Sequence, residues 1–421
     1  MAELKRTLSL FDATALAIGA IVGAGIFVIS GVAAGLAGPA VILSIIIAGI
    51  VSSFTAFSFV RLSSKFAEEG GPYVYAKNTI SCFAGFITGW LWIFANIVAG
   101  ATVSLGLASY VTSLFPIVPI VPIAISSILI LVVLNIVGIK QSSIFNAVLV
   151  VLKLSALALF VIIGFSHLNF SLYEPFSPNG VKGVLSSAAL IFFAYTGFGR
   201  PATAAEEIKD PKHTVPRSII LALVLSSIVY ILVGIVSMGL IPYQKVANSG
   251  SPITDAIEYG IKIYWLKIFV SFAAIVATVS VLLTTIIGVS RVSFAMARDN
   301  LLPKFFSKMH KKFSTPYLAI LITGVIMAAL PLLGNLKQTA NVTNFGSLLV
   351  YAIVNFTAIV IIIKDPQKFR RYLMIIPALG LISCAALLYF LTPASWMIGM
   401  TWIGIGCIYY ITIRRRHKIS G

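Results

Sequence analysis

Charge is what this sequence has least of. Only 10% of its 421 residues are Asp, Glu, Lys or Arg, against about 25% in an ordinary soluble domain. After Asp12 no charged residue occurs until Arg61, and Gly38-Pro39 is the only punctuation in that stretch. A soluble fold is excluded, and so is an outer-membrane barrel, which would alternate apolar and polar residues in short strands. Cysteine is nearly as scarce. Cys82, Cys384 and Cys407 are an odd, scattered set with neither a disulfide framework nor metal-ligand spacing. The four histidines fall in connections or the tail, with no pair at ligand spacing on a helix. Neither a nucleophilic triad nor a phosphate loop can be picked out, and the membrane interior offers acid–base chemistry only Lys153 and Arg200. The sequence therefore predicts no metal, no cofactor and no enzyme. No small-residue cleavage site ends the first apolar run, so the N-terminus reads as a retained first span rather than a removed signal peptide.

What is present is apolar length. A span needs about 20 apolar residues. Helices are expected near 12–36, 39–63, 80–113, 117–138, 144–166, 181–207, 214–240, 264–299, 315–333, 338–363, 372–390 and 393–413. The chain is predicted to be an all-α polytopic membrane protein of about twelve transmembrane helices in one domain. The third and eighth are too long to stand upright and should tilt.

A net charge of +18 would suit nucleic acid, but its distribution is topological. With both termini inside, Lys and Arg crowd the N-terminus, the 2–3, 4–5, 6–7, 8–9 and 10–11 connections and the tail 414–421. Lys182, Lys245, Lys262, Lys267 and Lys337 alone fall on the opposite side, and Lys153 and Arg200 within spans. This is the positive-inside pattern. It predicts cytoplasmic N- and C-termini in the plasma membrane, and no nucleic-acid partner.

Two spans carry glycines that weaken them. The first reads "IGAIVGAGIF" from Ile18, and the sixth "FFAYTGFGRPATAAEE" from Phe192, interrupted by Gly197, Gly199 and Pro201. Each glycine costs a helix roughly 1 kcal/mol relative to alanine. Gly19 and Gly23, four apart, also fit the small-residue packing motif of membrane helices. The second break, at the corresponding place five spans later, favours unwinding around Gly23 to Gly25. The long third span matches the long eighth in the same way. A five-span unit repeated in opposite orientation accounts for both pairs, about 11–167 and 180–364, with helices 11 and 12 near 370–413 standing outside it. Paired interruptions of this kind point to a transporter binding site. Unpaired backbone in hydrocarbon costs several kcal/mol per group, so a break must face protein or a water-filled cavity.

The same stretches resemble a known family. "IGAIVGAGIF" is similar to the first-span signature of the amino acid–polyamine–organocation (APC) superfamily. "EEGGPYVYAKNTI" from Glu68 resembles its motif after the second span, "FFAYTGFGRPATAAEEIKDPKHTVPRSI" its sixth-span signature, and "MARDNLLPKFFSKMHKKFSTPYLAILITG" its eighth-to-ninth connection. The resemblance implies the LeuT-type inverted five-helix repeat with helices 1 and 6 broken, and an amino acid permease working by alternating access. It further implies that a substrate carboxylate meets backbone N–H groups around Gly23, Ala24 and Gly25. The α-ammonium would meet carbonyls near Ile21, Phe193, Ala194 and Thr196, beside Gly197, with Phe193 where relatives place an aromatic gate. Half-helix dipoles favour both placements.

Lys153 lies mid-span in helix five, where a lysine costs roughly 3 kcal/mol on insertion scales. Intramembrane ionisable groups are functional by default, and an amine taken out of water holds its proton less tightly. Proton-coupled relatives have a lysine here, which implies that Lys153 reaches toward the Gly19 carbonyl and toward Ser280 or Thr284 of helix eight, and carries the coupled proton. Arg200 departs from the family pattern, as does Gly199, where many relatives carry an acidic residue. Arg200 is expected to extend toward the cytoplasm and pair with Glu206 or Glu207; facing the cavity instead, it would favour acidic substrates. No carboxylate is found mid-span, which disfavours polyamines. The fold could still serve another cation, or exchange amino acids without net proton coupling. The outer 3–4 connection, "SLFPIVPIV", lacks a cysteine, so no disulfide-linked heavy chain is expected. The partners predicted are amino acid, proton and lipid.

Overall fold

The computed structural model describes residues 8–66, 70–137, 143–203, 205, 208–313, 315–364 and 371–419. Among these, nine stretches are helical, long and apolar enough to cross a bilayer; the first, Leu10–Lys65, folds as two passes. Two shorter apolar helices, Gly180–Tyr195 and Tyr317–Leu332, take the places expected for spans 6 and 9. The twelve expected passes thus each have a helix. Helices satisfy their own backbone groups, which is why a chain this apolar can cross lipid at all.

Span 1 begins at Leu10 because Ser9 and Asp12 form a capping box. The Asp12 N–H donates to Ser9 Oγ (3.3 Å), and the Ser9 N–H donates to Asp12 Oδ2 (2.9 Å). Its first half ends at Ile21. The chain unwinds at Val22–Gly23, then resumes as a π-helical turn, Gly25–Ile29, and an α-helix, Ser30–Ala37. The break therefore falls slightly earlier than the expected Gly23–Gly25.

Span 6 is interrupted around Gly197 and Gly199, as expected. It begins as an α-helix, Gly180–Ile191, and tightens into a 3₁₀ turn, Phe192–Tyr195. Non-helical turns follow over 196–199, and then a single helical turn, Arg200–Thr203. Pro201, at the second position of that turn, has no N–H to give, which suits a helix start and not a helix interior. Glu206 and Glu207 lie outside the described residues.

The expected third span is one helix, and the connection before it holds another: Pro72–Thr79 forms a separate short helix on the basic side, reached through Gly70 and Gly71 at φ 118° and 52°. Ser81 then caps a new helix, accepting the Ala84 N–H (3.1 Å), that runs Cys82–Leu114. Span 8 is Tyr264–Arg298. Spans 3 and 8 have 33 and 35 residues, about 50 Å each at 1.5 Å per residue, well beyond the ~30 Å hydrocarbon core. They pack against each other. The last helix, Pro393–Ile419, continues past 413 into the basic segment expected to be a tail.

Neighbours pair off in a matching way. Span 1 lies against span 5 (Ser143–Phe165) and span 7 (Pro211–Leu240). Span 6 lies against span 10 (Leu336–Lys364) and span 2 (Val41–Lys65). Two five-span units facing each other give this arrangement, and they bring the two breaks together at the centre.

Candidate functional site

The breaks touch because glycine lets them. A Cβ added at Gly25 would overlap Cα and Cβ of Ala194, and one at Gly197 would overlap the backbone of Ala20. Neither neighbour is a flexible side-chain tip, so both glycines are needed for spans 1 and 6 to approach. Gly23 instead faces Val281 of span 8.

Unwinding frees backbone carbonyls, and side chains from other spans take most of them. The Tyr230 hydroxyl, from span 7, shares its proton between the carbonyls of Ile21 (2.8 Å) and Ala194 (3.1 Å), one from each break. Tyr351 Oη donates to the Thr196 carbonyl (2.9 Å). Asn344 Nδ2 donates to the carbonyls of Ala189 (2.7 Å) and Leu190 (2.9 Å). The Phe193 carbonyl accepts from the Thr196 N–H (3.3 Å) and hydroxyl (2.9 Å). The carbonyls expected to meet an ammonium are thus already engaged by the protein. The Phe193 carbonyl already accepts two hydrogen bonds, whereas those of Ile21, Ala194 and Thr196 keep a second lone pair to offer.

Lys153 supplies the remaining donor. Its ammonium is fully buried and donates to the carbonyls of Gly19 and Val22, both at 2.8 Å. These are last-turn carbonyls of the first half-helix, left without intrahelical partners by the break. They also lie at the negative end of its dipole, where a cation is favoured. Lys153 therefore caps a broken helix from the side. The expected contact with Gly19 is present and Val22 is an addition. The expected reach to span 8 is not made: Thr284 Oγ1 bonds the carbonyls of Ser280 and Val281, and Ser280 Oγ is buried without a partner among the described residues.

A cavity of about 30 Å³ lies between the breaks and spans 3, 8 and 10, room for about one or two water molecules. Of the residues singled out in the sequence, Ile21, Ala24, Gly25, Phe193, Thr196 and Gly197 line it; Gly23 and Ala194 do not. Ala24 and Gly25 start the second half of span 1, where the first N–H groups of a helix have no intrahelical acceptor.

Arg200 is where expectation fails. It does not extend away from the membrane centre but lines the cavity. Its Nη2 donates to Asn96 Oδ1 (2.7 Å) and Thr285 Oγ1 (3.3 Å), and its guanidinium lies 6.0 Å from the centre of the Trp92 ring. Arg200 opens the helical turn that follows the break, so it still faces the centre. Asn96, Thr285, Tyr230, Tyr351 and Asn344 were not singled out in the sequence. Each is an uncharged polar residue in an apolar span, and that is the local signal they carry.

Among the described residues no three His, Cys, Asp or Glu side chains are grouped to hold a metal. The site offers two buried cations, hydroxyls, amides and backbone dipoles. That set suits holding a small polar molecule rather than breaking a bond in it.

Known proteins bear on the same assignment. A family model for amino acid permeases matches residues 8–413. The chain is 34% identical to a methylthioribose transporter of Bacillus subtilis, over 99% of this chain and 95% of that protein. It is 31% identical to the branched-chain amino acid permease BcaP of the same species, over 99% and 94%. With the cationic amino acid transporter 3, mitochondrial, of Arabidopsis thaliana it shares 30% identity over 85% of this chain and 63% of the relative. The broken spans, the central cavity and these matches agree: the chain is a multi-pass membrane protein belonging to the amino acid permease family of the APC superfamily.

Proposed function

We propose that this permease carries an amino acid across the plasma membrane together with a proton, by alternating access, with both termini in the cytoplasm. The observation that carries the reading is that one break serves two sites. The Val22–Gly23 break presents its last carbonyls to Lys153, and the residues that follow it, Ala24 and Gly25, line the cavity. Protonation of Lys153 strengthens its hold on the half-helix end, because a charged donor makes the stronger hydrogen bond. Binding at Ala24 and Gly25 acts on the other edge of the same unwound segment. The two events are thereby linked through the conformation of span 1. A cavity this small fits a closed state, so the spans must part for an amino acid to enter or leave. The substrate carboxylate would lie at the N–H groups near Gly25, and its ammonium at the free lone pairs of the Ile21 and Thr196 carbonyls. A polyamine or other cation is disfavoured, because the charged residue lining the cavity is Arg200 and no carboxylate lines it among the described residues.

The test is uptake into proteoliposomes without sodium, with and without an inward proton gradient. Amino acid accumulation should follow the gradient. Strict dependence on sodium would remove the coupling role of Lys153. Transport of methylthioribose with no amino acid carried would overturn the substrate class.

A further inference from the structure

Arg200 is a cation on a cavity that no carboxylate lines among the described residues. Two of its donors, Nε and Nη1, are buried and have no partner among the described residues. Only Nη2 is engaged, and by neutral oxygens of Asn96 and Thr285. A buried guanidinium without a counter-charge is costly, and truncating one member of a buried ion pair is costly for this same reason. The surrounding structure is nonetheless shaped to hold it. A Cβ at Gly288 of span 8 would overlap Nη1, so that glycine leaves the slot in which the guanidinium lies. Trp92 stands beside it and Asn96 orients it. The same cavity wall carries Ala24 and Gly25, where the α-carboxylate of an amino acid is placed above.

We infer that Arg200 binds a second carboxylate, on the side chain of the substrate, and that the permease selects dicarboxylic amino acids of the size of aspartate and glutamate. The inference rests on the amino acid reading given above. The α-carboxylate takes the helix N-terminus, the ammonium takes the carbonyls of the breaks, and the side-chain carboxylate takes the open donors of Arg200. A planar fork of donors matches a carboxylate in two places at once. An amide of the same shape presents one oxygen and one NH₂, and the NH₂ would face a cation. Specificity for acid over amide follows from that mismatch.

The experiment uses the full-length purified protein and measures thermal stabilisation over concentration series of glutamate, aspartate, glutamine, asparagine, leucine and succinate, since a ligand that binds only the folded protein raises its unfolding temperature. Glutamate or aspartate should bind at least about tenfold more tightly than its amide. Arg200→Gln should abolish that preference. Gly288→Ala, which keeps the arginine but takes its slot, should weaken it. Amides or leucine binding as tightly as the acids would overturn the role of Arg200 while leaving amino acid transport intact. Succinate binding as tightly as glutamate would keep the anion site but overturn the amino acid reading, because succinate has no ammonium. Stabilisation by none of the six would overturn both. Should Arg200→Gln fail to fold, the acid-to-amide ratio of the native protein decides by itself.

Discussion

Replacing Lys153 by methionine separates its two possible roles. The change keeps length and apolar bulk but removes the amine. Two hydrogen bonds of 2.8 Å are lost, leaving the Gly19 and Val22 carbonyls without the donor that now caps them. An unsatisfied buried group costs ~1–3 kcal/mol. Against this, a buried ammonium is removed whose bonded partners are both neutral, which relieves a desolvation penalty of several kcal/mol. The terms oppose each other and are similar in size. The variant should therefore fold, with a stability within about 2 kcal/mol of the native protein by the same figures. Its transport should differ far more. One proton moving with each substrate couples ~1.4 kcal/mol per pH unit, so an inward step of one unit should raise accumulation about tenfold in the native protein. In Lys153→Met the step should have no effect, while exchange of substrate across the membrane continues. The assay is concentrative uptake at fixed external pH, with and without the step. A methionine variant that still accumulates substrate in response to the step would show that the proton travels elsewhere, and Lys153 would then be a helix cap alone.

Three further outcomes follow from the geometry. Gly25→Ala and Gly197→Ala each force a Cβ into backbone of the opposite broken span, so each should cost ~1–3 kcal/mol by overpacking and abolish transport. Gly404→Ala, with nothing within 4 Å of the new atom, should be silent in thermal unfolding and uptake alike, and equal behaviour of the three would refute the packing argument. Tyr230→Phe removes a donor shared by the two breaks; a loss of ~1–2 kcal/mol and of at least tenfold in uptake is expected, whereas unchanged uptake would mean the breaks hold without it. On the basic side, Asp299 accepts from Tyr73 and from Lys77 (2.7 Å) and joins the Pro72–Thr79 helix to the end of span 8. Burial opposes its ionisation, but the Lys77 and Tyr73 hydrogen bonds and the charges of Lys77 and Arg298 outweigh burial and hold the carboxyl below its usual 3.8. A depressed carboxylate contributes its stability above the unfolded value and loses it only as pH falls below that value. The latch should stay closed from pH 5 to 8, and Asp299→Asn should leave the proton-driven component of uptake in that range unchanged; loss of that component would implicate Asp299 in coupling.

Much of this protein was legible along the chain because the bilayer imposes local rules. Apolar length gives the spans, and the uneven spread of Lys and Arg predicts their orientation. Glycine and proline in spans 1 and 6 mark the breaks within a few residues, since helix weakness is a property of the residues themselves. Lys153 stood out because an ionisable group in lipid is expensive wherever its partners lie. What the chain could not tell is which way a side chain turns. A membrane helix is apolar nearly all round, so no stripe of polarity marks the face of span 7 that carries Tyr230, or the face of span 10 that carries Tyr351 and Asn344. The reason for Gly25 was likewise hidden. The sequence suggested room for a ligand, but the atoms that crowd it belong to Ala194, far away in the chain and brought near only by the meeting of two breaks. Arg200 is the clearest case. Its nearest charges in sequence are Glu206 and Glu207, and local reasoning pairs it with them. The fold places Arg200 at the start of the turn after the break and supplies Asn96, Thr285 and the gap at Gly288 from spans 3 and 8. Contacts between distant segments decide where that charge points, and the chemistry of the cavity depends on it.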